Sequence, residues 1–255
     1  MIKVGVIGAG HLGKIHLSIL NNSDFELVGF HVTDVSNSEK LSQEKGFTFF
    51  TAPEIEYFYF ENSSQPVPLD NAGYFDLTTL DLGSSLRRRT LAMCEAMGIP
   101  VEYSFHEDNA SQHEIDLRYT ETHDMADNIM TLRLIVRKIA LDAGIHATFM
   151  PKPLDVGQGS GMHTHMSLFE GDVNAFHDSG DEMGLSETAR KFMAGVLHHA
   201  PEFTAVTNQL VNSYKRMIAG YESPVYVSWA RNNRSALVRV PIHKAGKASS
   251  TRIEY

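Results

Sequence analysis

The chain has 255 residues, of which 42% are hydrophobic and 21% are charged, and its formal net charge is −9 at pH 7. This composition is typical of a soluble globular protein with one large domain or two small ones, and the acidic balance argues against nucleic acid or an anionic membrane as the main partner. The single cysteine, Cys94, allows no intrachain disulfide, and the sequence contains no stretch of about 20 apolar residues that could span a bilayer. A cytoplasmic location is expected.

The first predicted element is a strand that runs into a glycine-rich turn. The stretch "IKVGVIG" has the β-branched character of a strand, and Gly8, Gly10 and Gly13 follow it in the pattern G-x-G-x-x-G. Such glycines let a pyrophosphate approach the backbone at a helix N-terminus. A second strand, "FELVGFHV", precedes Asp34, which stands near the position of a ribose-binding acid. This stretch resembles the opening of the glucose-fructose oxidoreductase and inositol dehydrogenase family of NAD(P)-dependent enzymes.

This resemblance ends at about residues 42–50. A dinucleotide domain needs two βαβαβ halves to form its binding crevice, and no further βαβ series follows. We therefore predict an incomplete Rossmann-like βαβ segment over residues 1–45, a second domain over residues 46–255, and a chimera of the two. NAD(P) binding is the less favoured interpretation of the first segment.

After residue 46 the pattern is that of an α+β domain. Helices are predicted over 84–98 and 122–144, ended by Gly98 and Gly144, and a third over "SETARKFMAGVLHHAPEFTAVTN". The apolar face of the second helix is formed by Met125, Ile129, Leu132, Val136, Ile139 and Ala143. Strands are predicted at "IPVEYSFHE", on both sides of the glycine-rich loop in "ATFMPKPLDVGQGSGMHTHMSLFEG", and at "PVYVSWA" and "SALVRVPI".

Two carboxylates interrupt the apolar strand "APEIEYFYF" at residues 52–60. Glu54 and Glu56 are two residues apart, so in a strand they point to the same side. Because an unpaired buried charge is costly, this placement indicates cations nearby. The alternative is an edge strand with one solvated face.

Further candidate ligands follow along the chain. Glu107 ends a strand, Glu114 follows a short connection, His163 alternates with His165 on one strand face, and Glu254 lies in the last strand. Each alone could be a solvated glutamate or a hydrogen-bonded core histidine. Together, five carboxylates and one imidazole suit Mg²⁺ or Mn²⁺ better than zinc or copper.

Four arginines lie in or beside apolar strands: Arg216, Arg234, Arg239 and Arg252. A guanidinium group binds phosphate or carboxylate through two hydrogen bonds, although surface salt bridges are the ordinary alternative. Arg234 and Arg239 are five residues apart, which puts them on opposite faces of an ideal strand unless a bend or loop realigns them. Metal ligands and arginines together indicate phosphoryl transfer from a nucleotide.

Five ordered motifs then resemble the catalytic domain of type I glutamine synthetase over about residues 46–255. They are "APEIEYFYF", "EYSFHEDNASQHEID", "FMPKPLDVGQGSGMHTHMSL", "NSYKRMIAGYESPVYVSWARNNRSALVRVP" and "RIEY". The resemblance implies a curved antiparallel sheet with flanking helices. It also implies an enzyme that uses ATP to convert glutamate into γ-glutamyl phosphate, which ammonia then attacks to give glutamine.

The resemblance assigns site residues by their positions in these motifs. One divalent ion, Mg²⁺ or Mn²⁺, would be held by Glu56, Glu107 and Glu114, and the other by Glu54, His163 and Glu254. The substrate glutamate would be bound by Gln158, Gly159, His163, Arg216 and Glu222. ATP and its phosphates would be bound by Glu102, His165, Ser167, Arg234, Arg239, Lys247 and Arg252. Glu222 would cap the site, and Glu222, Arg216 and Arg234 would act in catalysis.

The resemblance also implies homo-oligomeric rings in which an N-terminal β-grasp domain completes the neighbouring site. No motif of that domain is recognisable here, and the given sequence stops at Tyr255, so impaired catalysis is expected. Two alternatives stay open: an NAD(P)-dependent oxidoreductase fragment, and a non-catalytic fragment that binds ATP and metal.

Overall fold

A computed structural model describes most of the chain. It gives the backbone of residues 3–7 and 26–31, and both backbone and side chains of residues 46–231, 233–242 and 246–255. The chain divides into two compact units, Met1–Thr48 and Phe49–Tyr255.

The first unit contains the two strands that the sequence predicts. Strands β1 (Lys3–Ile7) and β2 (Glu26–His31) pair in parallel, as the outer strands of a βαβ unit do. The predicted glycine turn with Gly8, Gly10 and Gly13, the helix after it and Asp34 lie outside the described residues. The dinucleotide-binding segment and the domain boundary after residue 45 therefore stay predictions.

Ten further strands form one sheet. They are β3 (Thr48–Phe60), β4 (Val101–His106), β5 (Gln112–Leu117), β6 (Thr120–Glu121), β7 (His146–Thr148), β8 (Met162–Glu170), β9 (Val173–Asn174), β10 (Tyr226–Ala230), β11 (Ala236–Arg239) and β12 (Ile253–Glu254). Their order is β10-β11-β12-β8-β3-β5-β4, while β6 and β7 also pair with β3 and β9 pairs with β8. Because β3 is central, the edge-strand interpretation of Glu54 and Glu56 is wrong.

The sheet is mixed, which corrects the expectation of an antiparallel sheet. Strands β10 and β11 run parallel, and their register shifts between Tyr226 and Trp229. The other pairs in this sheet whose register is resolved are antiparallel. The antiparallel expectation therefore fails at the β10–β11 end of the sheet.

The predicted helices are confirmed. They are α1 (Ser84–Ala96), α2 (Thr122–Asp142) and α3 (Glu187–Thr207), and a short helix, α4 (Val211–Arg216), precedes β10. Gly98 and Gly144 follow the ends of α1 and α2 with φ of +79° and +74°, the left-handed conformation that glycine adopts most easily. In the part of the chain that the structure describes, every helix is too short or too polar to cross a lipid bilayer.

The helices cover one face of the sheet and leave the other to the site. Ile55, Tyr57 and Tyr59, on alternate positions of β3, are buried against α1 and α2, and Cys94 of α1 belongs to the same core. A second core joins α3 to β11 and β12. Because side chains alternate along a strand, this packing turns Glu54 and Glu56 to the opposite face.

Candidate active site

The open face of the sheet holds a cavity of about 280 Å³, which we call the central cavity. Its charged and imidazole-bearing side chains are Glu54, Glu56, Glu107, Glu114, Asp116, Glu222, Glu254, His163, His165, Arg216, Arg234, Arg239 and Arg252. Seven carboxylates thus face four guanidinium groups among the described residues. With neutral histidines and all seven carboxylates ionised, the cavity would carry an excess of three negative charges, which favours bound cations.

Strand pairing places four of these carboxylates side by side. In the antiparallel pair of β3 and β5, Glu56 lies opposite Glu114 and Glu54 lies opposite Asp116. Directly opposed residues on one face of such a pair have Cβ atoms about 5 Å apart. Like charges at this separation destabilise the sheet unless they are neutralised or paired.

The first compact set of possible metal ligands is Glu54, His163 and Glu254, which we call the imidazole group; their ligand atoms lie within 4.8 Å of one another. His163 Nδ1 is 2.9 Å from Glu254 Oε1, and Arg239 donates to the same carboxylate. His165 Nε2 is 2.6 Å from Glu54 Oε1. Burial alone would raise the pKa of Glu54, but the His165 hydrogen bond and the surrounding positive charges lower it to about 2.

The second predicted set, Glu56, Glu107 and Glu114, is called the carboxylate group below. Glu56 Oε2 accepts hydrogen bonds from the amide of Gly161 at 2.8 Å and from Gln112 Nε2 at 3.1 Å. Burial raises the pKa of Glu56 and of Glu107. Burial, together with the charges of the neighbouring carboxylates, raises the pKa of Glu114 to about 12. Oxygen donors under such mutual repulsion fit a hard divalent cation.

Asp116 is a cavity residue that the sequence analysis did not select. Its carboxylate forms a compact set with Glu54 and Glu114, with ligand atoms within 4.8 Å of one another. Burial raises the pKa of Asp116 to about 7, since the lowering effect of the Glu114 hydrogen bond is smaller. The spacing Glu114-x-Asp116 repeats that of Glu54-x-Glu56, so the same strand argument could have found it.

Two glycines of the loop before β8 make room for Arg216. A Cβ atom on Gly159 would lie 2.2 Å from the carbonyl oxygen of Pro151 and 2.8 Å from Arg216 Cγ. A Cβ atom on Gly161 would lie 2.6 Å from a terminal nitrogen of Arg216 and 2.8 Å from His163 Cδ2. Any side chain at either position would displace the guanidinium group. Burial lowers the pKa of Arg216.

The loop before β10 brings Glu222 over the cavity. Its two carboxylate oxygens each accept a hydrogen bond of 3.1 Å from Arg234, whose guanidinium carbon lies 5.6 Å from the centre of the Tyr74 ring. The amide of Glu222 donates to Gln158 Oε1 at 2.9 Å. Asn109, which the sequence analysis missed, donates to the Gln158 carbonyl oxygen at 2.5 Å. These contacts join the two predicted substrate loops.

A second cavity of about 260 Å³, the side cavity, adjoins the central one. Both are lined by Glu54, Asp116, His165 and Arg252. Arg252 Nε donates to His165 Nδ1 at 3.1 Å. Four of the residues predicted to bind ATP meet in this cavity: Glu102, His165, Ser167 and Arg252.

The other predicted nucleotide residues fall into two classes. Arg234 and Arg239 line the central cavity. Arg234 lies in the loop before β11, which lets it reach the same cavity as Arg239 although the two are five residues apart. Lys247 is exposed and lines neither cavity, and its contact with ATP stays a prediction.

Comparison with known proteins identifies the family. The profile described as "Glutamine synthetase, catalytic domain" matches residues 35–255. The chain belongs to this family. Glutamine synthetases from Mycobacterium bovis and Thermotoga maritima are 53% identical over 215 residues and 47% identical over 218 residues. These alignments cover 83% and 84% of this chain but 48% and 49% of the relatives, so the chain spans about half of their length.

Solved structures show the same fold. The cryo-EM structure of Plasmodium falciparum glutamine synthetase matches with a TM-score of 0.79 and 26% identity, over 86% of this chain and 50% of that one. A GmaS/ADP complex matches with a TM-score of 0.74 and 29% identity, over 86% of this chain and 52% of that one. The glutamine synthetase part of the sequence resemblance is therefore confirmed.

These comparisons do not support the interpretation of residues 1–45 as a dehydrogenase fragment. The family profile begins at residue 35, before the predicted boundary at residue 46. A glutamine synthetase from Staphylococcus aureus is 44% identical over 252 residues, an alignment that covers 97% of this chain and 56% of the relative. Since that alignment leaves only 3% of the chain uncovered, it extends into the segment that the sequence analysis interpreted as Rossmann-like.

Proposed function

We propose that this chain provides the catalytic centre of an ATP-dependent glutamate-ammonia ligase. The observation that carries the proposal is the central cavity, where both predicted ligand groups and four arginines face one space. The family match supports the same conclusion. Glutamate, ammonia and ATP are the proposed substrates. Ring assembly and a cytoplasmic location stay predictions.

Two divalent cations, Mg²⁺ or Mn²⁺, are proposed to bind on the carboxylate-rich side of the cavity. The imidazole group (Glu54, His163 and Glu254) would hold one, and the carboxylate group (Glu56, Glu107 and Glu114) the other. The excess negative charge and the oxygen-rich donor set support this assignment. When bound, such ions neutralise charge on the transferring phosphoryl group.

In the proposed first step, an oxygen of the glutamate side-chain carboxylate attacks the γ-phosphorus of ATP. A new O–P bond forms, the bond to the bridging oxygen between the β- and γ-phosphorus atoms breaks, and ADP leaves. The side cavity would hold the nucleotide between Glu102 and Ser167. Arg234 and Arg239 would balance charge on the phosphoryl oxygens, while Arg216 and Gln158 orient the glutamate.

In the proposed second step, ammonia attacks the carbonyl carbon of γ-glutamyl phosphate. A C–N bond forms, the C–O bond to phosphate breaks, and the departing inorganic phosphate takes up the proton that the nitrogen loses. Water would hydrolyse the same intermediate. Glu222, joined to Arg234 and Gln158 above the cavity, is positioned to limit the access of water.

The test is an assay with ATP, Mg²⁺, glutamate and ammonia that measures glutamine and ADP separately. We expect equal amounts of both products. Arg234→Ala should lower kcat by about 10²–10³-fold, because it removes a cationic donor at the transferring group. The matched control is Arg190→Ala, which removes an arginine paired with Asp181 at 2.6 Å, and we expect it to retain activity.

Other outcomes would support the alternatives. A nucleotide- and metal-dependent rise in Tm without product would favour a non-catalytic binder. Saturable binding of NADH, followed by its fluorescence, would favour the oxidoreductase interpretation. If neither product nor binding of ATP and metal is observed, the proposal is wrong.

A further inference from the structure

A buried carboxylate on the far side of the sheet contacts the turn that carries part of the site. Asp70, in the connection between β3 and α1, is only 7% exposed. Its Oδ1 atom accepts hydrogen bonds from the amide of Ser111 at 2.9 Å and from His106 Nε2 at 3.0 Å. Its Oδ2 atom accepts from the amide of Leu82 at 3.0 Å. Asp70 thus joins three segments that are distant in sequence.

The turn between β4 and β5, residues 107–111, has a conformation that needs support. Ser111 has φ of +58°, a left-handed value that is uncommon for a residue other than glycine. Its side-chain oxygen accepts from the amide of Asp70 at 2.9 Å. Its carbonyl oxygen accepts from the amide of Tyr59 at 3.0 Å, which ties the turn to β3. Asp70 and Ser111 therefore hold each other through backbone and side chain.

His106 extends the support of Asp70 to Glu107. Its Nδ1 atom is 2.7 Å from the carbonyl oxygen of Glu107, and its Nε2 atom faces Asp70. Both neighbours are acceptors, so both ring nitrogens donate. The carboxylate of Glu107 accepts in turn from the amide of Asp108 at 2.8 Å. The backbone at Glu107 is thus fixed before any ligand binds.

The neighbouring acidic and imidazole side chains are better explained as structural than as a further metal site. Asp70, Asp81, His106 and His113 have ligand atoms within 4.8 Å of one another. Arg87, however, donates to both carboxylate oxygens of Asp81 at 3.0 and 2.6 Å and lies 2.7 Å from His113 Nδ1. A guanidinium group already supplies the positive charge that a metal ion would bring.

We propose that Asp70 is a positioning residue for the carboxylate group. Through Ser111 and His106 it fixes the turn that presents Glu107 to the central cavity. This inference rests on the proposed function, because it takes Glu107 as a metal ligand. Among the described residues, Asp70 makes no hydrogen bond to Glu54, His163 or Glu254. Loss of Asp70 should therefore weaken one of two metal sites and spare the other.

The experiment compares Asp70→Asn with the unchanged chain by titration with Mn²⁺, using electron paramagnetic resonance to measure the free ion. We expect the unchanged chain to bind two ions. In Asp70→Asn the affinity for one ion should fall about 10–100-fold, the usual loss when a residue supporting a metal ligand is replaced. Amide hydrogen exchange in residues 107–112 should become faster, which is a readout independent of metal and of activity.

Asp181→Asn is the matched control. Asp181 likewise accepts from two loop amides, those of Met183 at 2.9 Å and Leu185 at 3.0 Å, and pairs with an arginine, but it lines neither cavity. We expect both Mn²⁺ affinities to be unchanged in this variant. Equal weakening in Asp181→Asn and Asp70→Asn would mean a general loss of stability, and would overturn the inference.

Ser111→Ala provides the test if Asp70→Asn does not fold. It removes the side-chain oxygen that contacts Asp70 and keeps the bond between Asp70 and His106, so the same selective loss should appear at smaller size. If the folded variants bind both Mn²⁺ ions with unchanged affinity, the positioning role of Asp70 is wrong, and the proposed function is not affected. Failure of the unchanged chain to bind Mn²⁺ would overturn the proposed function together with this inference.

Discussion

The two ligand groups share one cavity but differ in how their charges are balanced. The carboxylates of the imidazole group are paired by the protein, because Arg239 donates to Glu254 and His165 forms a hydrogen bond with Glu54. In the carboxylate group, Glu56, Glu107 and Glu114 form no ion pair with lysine or arginine among the described residues, and burial raises the pKa of all three. The first group is assembled by protein contacts, whereas the second would be balanced by the proposed cation.

The sharpest test of this difference is Glu114→Gln. In the presence of a chelator the free energy of unfolding should hardly change, because an amide of the same shape replaces a crowded carboxyl group. With Mn²⁺ and substrates, kcat should fall by about 10²–10³-fold, comparable to the loss of one electrostatic contact in an active site. Urea unfolding and the glutamine assay measure the two effects. A large destabilisation in the chelator would contradict the proposed difference.

Metal binding itself should stabilise the chain. Since the ions relieve repulsion in the folded state only, Mn²⁺ at 100 times its Kd should raise the free energy of unfolding by about 2.7 kcal/mol for each bound ion. Thermal or urea unfolding with and without a chelator measures this gain. The gain should shrink in Glu114→Gln. An equal gain in both proteins would show that Glu114 does not bind the ion.

In the imidazole group, unlike at Glu114, loss of a carboxylate should destabilise the folded chain even without metal. Glu254→Gln leaves the partly buried Arg239 without its carboxylate partner, so the free energy of unfolding in a chelator should fall by about 2–3 kcal/mol. Urea unfolding beside Glu114→Gln gives the comparison directly. If the two variants lose equal stability, the charge balance of the two groups does not differ as inferred.

The contribution of Asp70 to the free energy of unfolding should depend on pH. Burial would raise the pKa of Asp70, but hydrogen bonds from His106 and Ser111 and the charge of His106 lower it to about 2. A carboxyl group with a depressed pKa stabilises the folded state above its unfolded pKa of about 3.9, and this contribution is lost as the pH falls towards 2. The free energy of unfolding of the unchanged chain should exceed that of Asp70→Asn by up to about 2 kcal/mol at pH 7. This difference should decrease below pH 4. A difference that is constant with pH would contradict this.

The spacing of polar and apolar residues predicted the strands and helices in which that spacing is regular. The alternation in β3 placed Glu54 and Glu56 on one face, and the apolar spacing in α2 predicted a helix that ends before Gly144. In both cases the local pattern and the tertiary packing favour the same conformation.

Other features could not be predicted because they depend on contacts between distant segments. Asp70 looks like an ordinary loop aspartate in sequence, and only its contacts to Ser111, 41 residues away, show its role in the fold. Arg234 reaches the cavity from a loop, so strand periodicity could not place it. The parallel pairing of β10 and β11 also has no local sequence signal.

The central and side cavities share four lining side chains, which limits how far one cavity can be changed without the other. Glu54, Asp116, His165 and Arg252 each face both cavities. Substitutions of these side chains aimed at the proposed nucleotide site would therefore also change the proposed glutamate and metal site. Glu102 and Ser167 line the side cavity and not the central one, so substitutions there would change the proposed nucleotide site alone.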